Sequence, residues 1–343
     1  MNKTWHLMLS AAVLLGAAAC AKVNTASTGE KARKYLELWI ADAYPGATPD
    51  QWGLYILEDT PGTGEPWNKD LAYSSLTSTI RTTDGTISAT SDAQVAKQLG
   101  TYMDGNYYGP KYQATGSGSG YAGLEYMLTG MRVGGTRTAV IPAWLLTSNR
   151  YSTLQEYLNA CTSSTHLVYT VKLEGQCNDL LQMQKDSLRS YVTRHWGADV
   201  KSCTYKSGQE EGIFYFISDS TAFEGVDPRA NDTSLKLNYT GRMLNGQLFD
   251  TNVRSDALQA GLYSSSATYN PVTIKFASTY NSIAMDGSTS LIDGFQGALY
   301  KMHWAGQKAV AVFVSDLGYA ASGSGDKIPP YSPLQFELEL IQP

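Results

Sequence analysis

The stretch that decides the fold is residues 235–250, LKLNYTGRMLNGQLFD. Apolar and polar residues alternate along its first half, the period of a strand that buries one face. The buried face would hold Leu235, Leu237 and Tyr239. Asn245-Gly246 then supplies two residues that tolerate a positive φ, as a tight hairpin turn requires. The stretch is therefore predicted to form a β-hairpin.

The register of this hairpin brings a carboxylate to a phenol. A loop of Asn245-Gly246 alone would set Asp250 opposite Gly241, with its side chain diagonal to the Tyr239 ring on one face. Phe249 would fall on the other face, unless a bulge intervenes. A phenol beside a carboxylate at the edge of an apolar sheet face predicts a binding site.

An ordered series of segments carries a family resemblance. In the hairpin they are Tyr239-Thr240-Gly241, Asn245-Gly246 and Phe249-Asp250; downstream they are Leu291-Ile292-Asp293-Gly294-Phe295, Gly306-Gln307-Lys308, Asp316-Leu317-Gly318-Tyr319, Ile328-Pro329-Pro330 and 334–340. The series resembles the FKBP-type peptidyl-prolyl cis-trans isomerases over about residues 213–343, with one long interruption.

Segments of the first half of the chain are similar in sequence to segments of the second half. Residues 53–57 match 212–216, Asp84-Gly85 matches Asn245-Gly246, and Leu71-Ala72-Tyr73 corresponds to Leu237-Asn238-Tyr239. Residues 130–142 and 167–173 also resemble family segments. A repeat of about 160–170 residues predicts two copies of one domain. The resemblance implies an α+β fold: two FKBP-like domains, each a twisted antiparallel sheet wrapped around a short helix.

Each copy is preceded by a predicted helix. Ser27-Thr28-Gly29-Glu30 reads as a capping box, and apolar spacing predicts a helix over about 28–43. A second helix is predicted over 178–196, with Gly197 ending it. The residues predicted to share one face of this helix are Leu181, Leu188, Tyr191, Val192 and His195.

The predicted divisions of the chain are a lipoprotein signal peptide (1–19), a tether (20–27), a helix with a degenerate FKBP-like domain (28–175), a linker helix (176–204) and an FKBP-like domain with the active site (205–343).

The resemblance implies a site without cofactor or metal, acting on proline-containing polypeptides. The implied catalytic residues are Asp250, Tyr319, Phe295 and Ile292, the last through its backbone N–H. The implied substrate-binding residues are Tyr239, Phe249, Leu291, Ile328 and Phe336. Each of these could instead be ordinary core or turn structure. Their appearance together and in order favours a pocket.

The first copy lacks these groups. Ser88-Ala89 stand in place of Phe249-Asp250, Leu124 in place of Phe295 and Thr147 in place of Tyr319. The first domain is therefore predicted to be a scaffold or binding copy.

The second copy contains an insertion between residues 252 and 291. Residues 271–276 can supply the one strand that the family places here. Val272 falls about where the family has a pocket aromatic. The flanking loops could cover the site or extend it.

The N-terminal sequence predicts that the protein is exported. After Lys3, an apolar run too short for a membrane span ends in Gly16-Ala17-Ala18-Ala19-Cys20. This resembles a bacterial lipoprotein signal with lipid on Cys20, and Ala21 implies an outer-membrane lipoprotein, facing the periplasm or the cell surface. A plain secretory signal is the alternative. Of the remaining cysteines, Cys161–Cys177 and Cys177–Cys203 are both possible pairs.

Composition and motifs argue against other functions. A net charge of −5 without a basic stripe gives no reason to expect nucleic acid. The histidines lack metal-ligand spacing, and neither a nucleophile elbow nor a phosphate loop occurs. Two functions stay open: a peptidyl-prolyl isomerase assisting the folding of exported proteins, and a non-catalytic FKBP-like lipoprotein that binds peptides or proteins.

Overall fold

A computed structural model describes residues 26–197, 200–202, 212–217 and 234–341. Cys20 with the predicted signal, and Cys203, lie outside these residues. Cys161 and Cys177 are both free thiols, so they do not pair with each other. Among the described helices, none combines the length and apolarity needed to cross a bilayer.

The first half of the chain forms one sheet with four helices. The helices are α1 (Thr28–Ala43), α2 (Ala93–Gln98), α3 (Ala122–Leu128) and α4 (Leu154–Ala160). The strands are β1 (Tyr55–Thr60), β2 (Tyr73–Thr82), β3 (Ile87–Thr90), β4 (Lys111–Ala114), β5 (Thr136–Ile141) and β6 (Leu167–Cys177).

The second half repeats this arrangement behind a linker helix. The helices are α5 (Leu180–Trp196), α6 (Arg254–Gln259) and α7 (Asp293–Leu299). The strands are β7 (Lys201–Ser202), β8 (Ile213–Ile217), β9 (Ser234–Met243), β10 (Leu248–Thr251), β11 (Val272–Lys275), β12 (Ala284–Met285), β13 (Lys308–Phe313) and β14 (Leu334–Ile341).

The two sheets share one strand order. The first runs β1-β5-β6-β2-β3, with β4 also paired to β2. The second contains β8-β13-β14-β9, with β10 and β11 both on β9, and extends to β7 and β12. All the pairings between the described strands are antiparallel, and α3 and α7 pack against the equivalent strands β5 and β13. The α+β class and the repetition of one antiparallel sheet arrangement in the two halves are therefore confirmed, whereas the exact domain boundaries stay predictions.

The preceding helices belong to the cores. In α1, Ser27 accepts a hydrogen bond from the Glu30 N–H, and the buried face packs into the first core. In α5, the buried residues are Leu180, Gln184, Leu188 and Val192. The predicted face was wrong for Leu181 and His195, which are exposed. The reason is that packing on the second sheet selects the stripe containing Leu188 and Val192, and this stripe continues through Gln184 rather than Leu181.

The hairpin forms the predicted pair of Gly241 with Asp250, but with a longer loop and a bulge. Its loop has three residues, 244–246, because Met243 and Gln247 are the last hydrogen-bonded pair and Gly246 takes a φ of 88°. A bulge between Leu248 and Asp250 then absorbs one residue, so that Asp250 still faces Gly241. The same bulge turns Phe249 into the core instead of outward.

The first-domain hairpin has the same loop, with Thr82 and Gly85 in the places of Met243 and Gly246. Counting back from this turn sets Ser78, not Tyr73, at the position of Tyr239. The match of Tyr73 with Tyr239 was wrong, because the turn hydrogen bonds rather than residue similarity fix the strand register.

Candidate active site

Strands β9 and β10 bring Tyr239 and Asp250 together. The Tyr239 hydroxyl donates a hydrogen bond to Oδ2 of Asp250 at 3.0 Å. The two residues are diagonal neighbours on one face, as the register of Gly241 with Asp250 requires. Asn252 fixes the strand from beneath, since its Oδ1 accepts the Tyr239 N–H at 2.7 Å and its Nδ2 donates to the Leu237 carbonyl at 2.9 Å.

Tyr319 lies at the same edge. Burial, and then the charge of Asp250, raise the pKa of its hydroxyl above the ordinary value. Burial, followed by the charge and the hydrogen bond of Asp250, raises the pKa of Tyr239 as well. Both phenols therefore keep their protons at neutral pH and can act as hydrogen-bond donors. Asp250 and Tyr319 are exposed, so this edge is open to solvent.

A cluster of aromatic rings lies behind this edge, with Phe336 of β14 at its centre. Its ring centroid is 4.9 Å from that of Phe295, 5.6 Å from Phe249 and 5.8 Å from Phe313. Tyr239 meets Phe295 edge to face, with centroids 5.9 Å apart. Phe295 and Phe336 are only 4% and 5% exposed, so their rings form a dry apolar floor. Edge-to-face contacts of this kind add about 0.5–1.5 kcal/mol each beyond area burial.

Helix α7 carries the floor ring and a backbone donor at its start. Ile292 is the N-cap residue, and no described residue accepts a hydrogen bond from its N–H. Leu291 and Ile292 are half-buried beside the core. Gly294 allows the helix to lie on Phe313, because a Cβ there would be 2.3 Å from that ring.

Residues 315–331, called here the rim loop, place Tyr319 and Ile328. Ile328 is 3% exposed and is paired with Ser324 through two backbone hydrogen bonds of 2.7 and 3.2 Å. Lys327 donates to the Phe249 carbonyl at 3.3 Å, which ties the loop to the hairpin. The rim loop therefore borders the ring cluster on the hairpin side.

Part of the insertion is hydrogen-bonded to α7 and to the residue that follows it. Gln296 donates to the Ile283 carbonyl at 3.0 Å, and the Tyr300 hydroxyl donates to the Ser278 carbonyl at 3.1 Å. Val272 lies in β11 opposite Leu237 and is partly buried against the core. The predicted strand in the insertion is confirmed.

The structure thus brings together the rings of Tyr239, Phe249, Phe295 and Phe336, and sets Asp250 and Tyr319 at their edge. Ile328 and the pair Leu291-Ile292 border the same region from the rim loop and α7. The catalytic and substrate-binding roles of these residues stay predictions. Sequence reasoning missed Phe313, Asn252 and the space that Gly241 provides, although an apolar strand next to the matched segment Asp316-Leu317-Gly318-Tyr319 was a signal for Phe313.

The first domain has the scaffold of this site without its groups. Thr79 and Thr90 pair through their hydroxyls at 2.8 Å, as Thr240 and Thr251 do in the second domain. The strand registers also equate Ile80 with Gly241 and Tyr169 with Phe336. The residues at the other site positions are Ser78, Ser88, Ala89, Leu124 and Thr147.

Comparison with known proteins finds a family model and several proteins whose sequences are similar to this chain. Residues 271–341 match the family model described as FKBP-type peptidyl-prolyl cis-trans isomerase. The chain is 31% identical to a macrophage infectivity potentiator of Trypanosoma cruzi over 112 residues, which are 33% of this chain and 44% of that protein. It is 32% identical to FK506-binding protein 2 of Dictyostelium discoideum over 107 residues, 31% of this chain and 62% of that one.

A probable FKBP-type peptidyl-prolyl cis-trans isomerase of Haemophilus influenzae is 28% identical over 145 residues, 42% of this chain and 46% of the relative. The chain thus spans about half the length of the curated relatives it matches. The resemblance stated from the sequence is confirmed for residues 271–341, which match the FKBP-type family model.

Proposed function

We propose that the second domain catalyses cis–trans isomerisation of X-Pro peptide bonds in exported polypeptides. The observation that carries this proposal is the Tyr239–Asp250 hydrogen bond at the open edge of the ring cluster floored by Phe295. A relative named as a probable FKBP-type peptidyl-prolyl cis-trans isomerase supports it.

The chemistry needs neither a nucleophile nor a cofactor. Rotation about a peptide bond is opposed by a barrier of ~18–20 kcal/mol, because resonance holds the amide planar. For X-Pro the two isomers are close in energy but exchange over tens to hundreds of seconds. The twisted amide has lost resonance and is less polar than the planar form. A dry apolar surface therefore favours the transition state over the ground state.

Each residue has a role in this scheme. Phe295 and Phe336 receive the proline ring, with Tyr239, Phe249 and Ile328 around it. The Tyr319 hydroxyl and the Ile292 N–H donate to substrate carbonyls, and Leu291 borders the bound chain. Asp250, held by Tyr239, faces the twisting amide.

The first domain is a non-catalytic copy in this proposal. The carboxylate and the rim phenol are replaced by Ala89 and Thr147, and Ile80 occupies the place that Gly241 leaves open. The first domain therefore lacks the groups that would orient a substrate.

A protease-coupled assay of a proline peptide, run on the purified full chain, tests the activity. The linker helix must be kept, because Leu188 and Val192 belong to the core of the second domain. Asp250→Ala and Phe295→Leu install the first-domain residues and should each lower kcat/KM at least tenfold, the effect of about 1.4 kcal/mol. An inactive native chain that still binds proline peptides would instead establish the non-catalytic alternative.

The residues preceding Cys20 support a further part of the proposal, an outer-membrane lipoprotein anchored through lipid on that cysteine. More than one acyl chain on a protein gives stable attachment. Mass spectrometry of the membrane-extracted protein should find an acylated N-terminal Cys20. Cys20→Ser should release the protein into the soluble fraction, and an unmodified Cys20 would reject the anchor.

A further inference from the structure

Gln184 lies in the linker helix, yet both ends of its carboxamide bind the rim loop of the second domain. Its Oε1 accepts a hydrogen bond from the Ser315 N–H at 2.8 Å, and its Nε2 donates to the Tyr331 carbonyl at 2.9 Å. Gln184 is 2% exposed, so these bonds are shielded from water. One side chain therefore joins the first residue of the rim loop to its last.

The backbone at this base is strained. Ala320 and Tyr331 have φ values of 45° and 59°, in the left-handed region that residues with a Cβ avoid. They are bonded to each other, since the Tyr331 N–H donates to the Ala320 carbonyl at 2.7 Å. The Ser315 carbonyl accepts from the Gly318 and Ala320 N–H groups, both at 2.9 Å. Such a conformation persists where surrounding contacts fix it.

Tyr319 stands directly before the strained Ala320, and Ile328 lies three residues before Tyr331. A change at the base of the loop would therefore move the rim hydroxyl and the apolar residue over the ring cluster together. Small displacements matter here, because a donor must lie within about 3 Å of the carbonyl it stabilises.

We propose that Gln184 is a positioning residue for the isomerisation: it clamps the two ends of the rim loop and so holds Tyr319 against the substrate. This proposal rests on the proposed function and adds the linker helix to the machinery of the site. It also gives the helix between the two domains a part in catalysis, although it contributes no group that touches the substrate.

A buried glutamine could instead contribute only stability. The two roles differ in their coupling to Tyr319. If Gln184 positions Tyr319, then losing the clamp removes most of the benefit of the Tyr319 hydroxyl, and the two substitutions are not additive. If Gln184 only stabilises the fold, then the two effects on kcat/KM multiply.

The experiment is a double-mutant cycle in the full chain with Gln184→Met and Tyr319→Phe. Methionine keeps the length and volume of the side chain but removes both hydrogen bonds. We expect Gln184→Met to lower kcat/KM about tenfold, and Tyr319→Phe to cost about tenfold in the native background but less than about twofold in the Gln184→Met background. Amide exchange should also accelerate at Tyr331 while the β6 amides keep their rates.

Gln182→Met is the matched control. Gln182 is on the same helix and is exposed, and its side chain donates to Asp186 at 3.0 Å, so its substitution should leave kcat/KM unchanged. Gln184→Asn, which withdraws the amide from both partners, is made in parallel in case Gln184→Met does not fold.

An equal cost of Tyr319→Phe in both backgrounds would overturn the positioning role. A native chain without activity would instead reject the proposed function on which it rests, so the two failures are distinguishable.

Discussion

A Cβ atom on Gly241 would lie 2.6 Å from the ring of Phe249 and 3.0 Å from that of Phe336. Glycine at this position therefore makes the space into which the bulge turns Phe249. Gly241→Ala should push Phe249 out of the ring cluster and destabilise the chain by about 1–3 kcal/mol. It should also lower kcat/KM, because a wall of the proposed pocket moves.

Urea unfolding and the proline assay would measure these two effects. Gly175→Ala is the matched control, since nothing lies within 4 Å of a Cβ added at Gly175 in β6. Equal stabilities of the two variants would show that the hairpin yields to the methyl group without cost.

Tyr239→Phe keeps the ring against Phe295 and removes only the hydrogen bond to Asp250. We expect kcat/KM to fall about tenfold, the effect of about 1.4 kcal/mol, because the carboxylate is no longer held at the edge of the cluster. Tyr191→Phe is the control, as it removes a hydroxyl that is bonded to Gln335 at 3.2 Å and not to Asp250. A full rate in the Tyr239→Phe variant would remove this hydrogen bond from the mechanism.

The raised pKa values of Tyr239 and Tyr319 predict the alkaline side of the pH profile. Burial and the charge of Asp250 both favour the protonated phenols, whose ordinary pKa is 10.0. A raised pKa extends the donor form to higher pH. Accordingly, kcat/KM should stay level up to about pH 10.

The profile should be recorded for the native chain and for Tyr319→Phe. A decline below pH 10 that disappears in Tyr319→Phe would mean that this hydroxyl ionises more easily than its surroundings suggest.

The hairpin shows how far sequence reasoning reaches. The alternation of Leu235, Leu237 and Tyr239 and the Asn245-Gly246 turn determine the strands, and the pairing of Gly241 with Asp250 was correct. However, the predicted loop was one residue too short, and the bulge compensated for the error. The bulge could not be predicted from the sequence, because no residue type identifies the extra residue. It is needed in the structure because Phe249 is buried on the core face.

Contacts between residues far apart in the chain were the second feature that could not be predicted from the sequence. The order of segments predicted which rings come from β9, α7 and β14, since each segment has a local signature. Gln184 has no such local signature, because a polar residue in a helix would be assigned to the solvent-exposed face. Its burial depends on the docking of α5 against the rim loop, more than 130 residues away in the chain. The match of Tyr73 with Tyr239 failed similarly, because turn geometry outweighs residue identity.

His166 gives a prediction for the first domain. It is 1% exposed, its Nδ1 accepts the Ala143 N–H at 3.2 Å, and its Nε2 lies 3.1 Å from the Ala32 carbonyl, to which it donates. Burial lowers the pKa of His166 from 6.5 to about 4. Between these values the unfolded chain binds a proton that the folded chain does not, so stability falls as the pH drops from 6.5 towards 4.

The full loss should reach about 3 kcal/mol below pH 4, at 1.36 kcal/mol for each pKa unit. Urea unfolding followed by tryptophan fluorescence reports on this region, because Trp144 meets the His166 ring edge to face at 5.9 Å. His166→Gln, which cannot take up the proton, should be less stable than the native chain at pH 7 but should lose less stability on acidification. Carboxylates protonate in both proteins, so the difference between the two curves isolates the histidine. If the curves run parallel from pH 7 to pH 4, the protonation of His166 is not coupled to the folding of this domain.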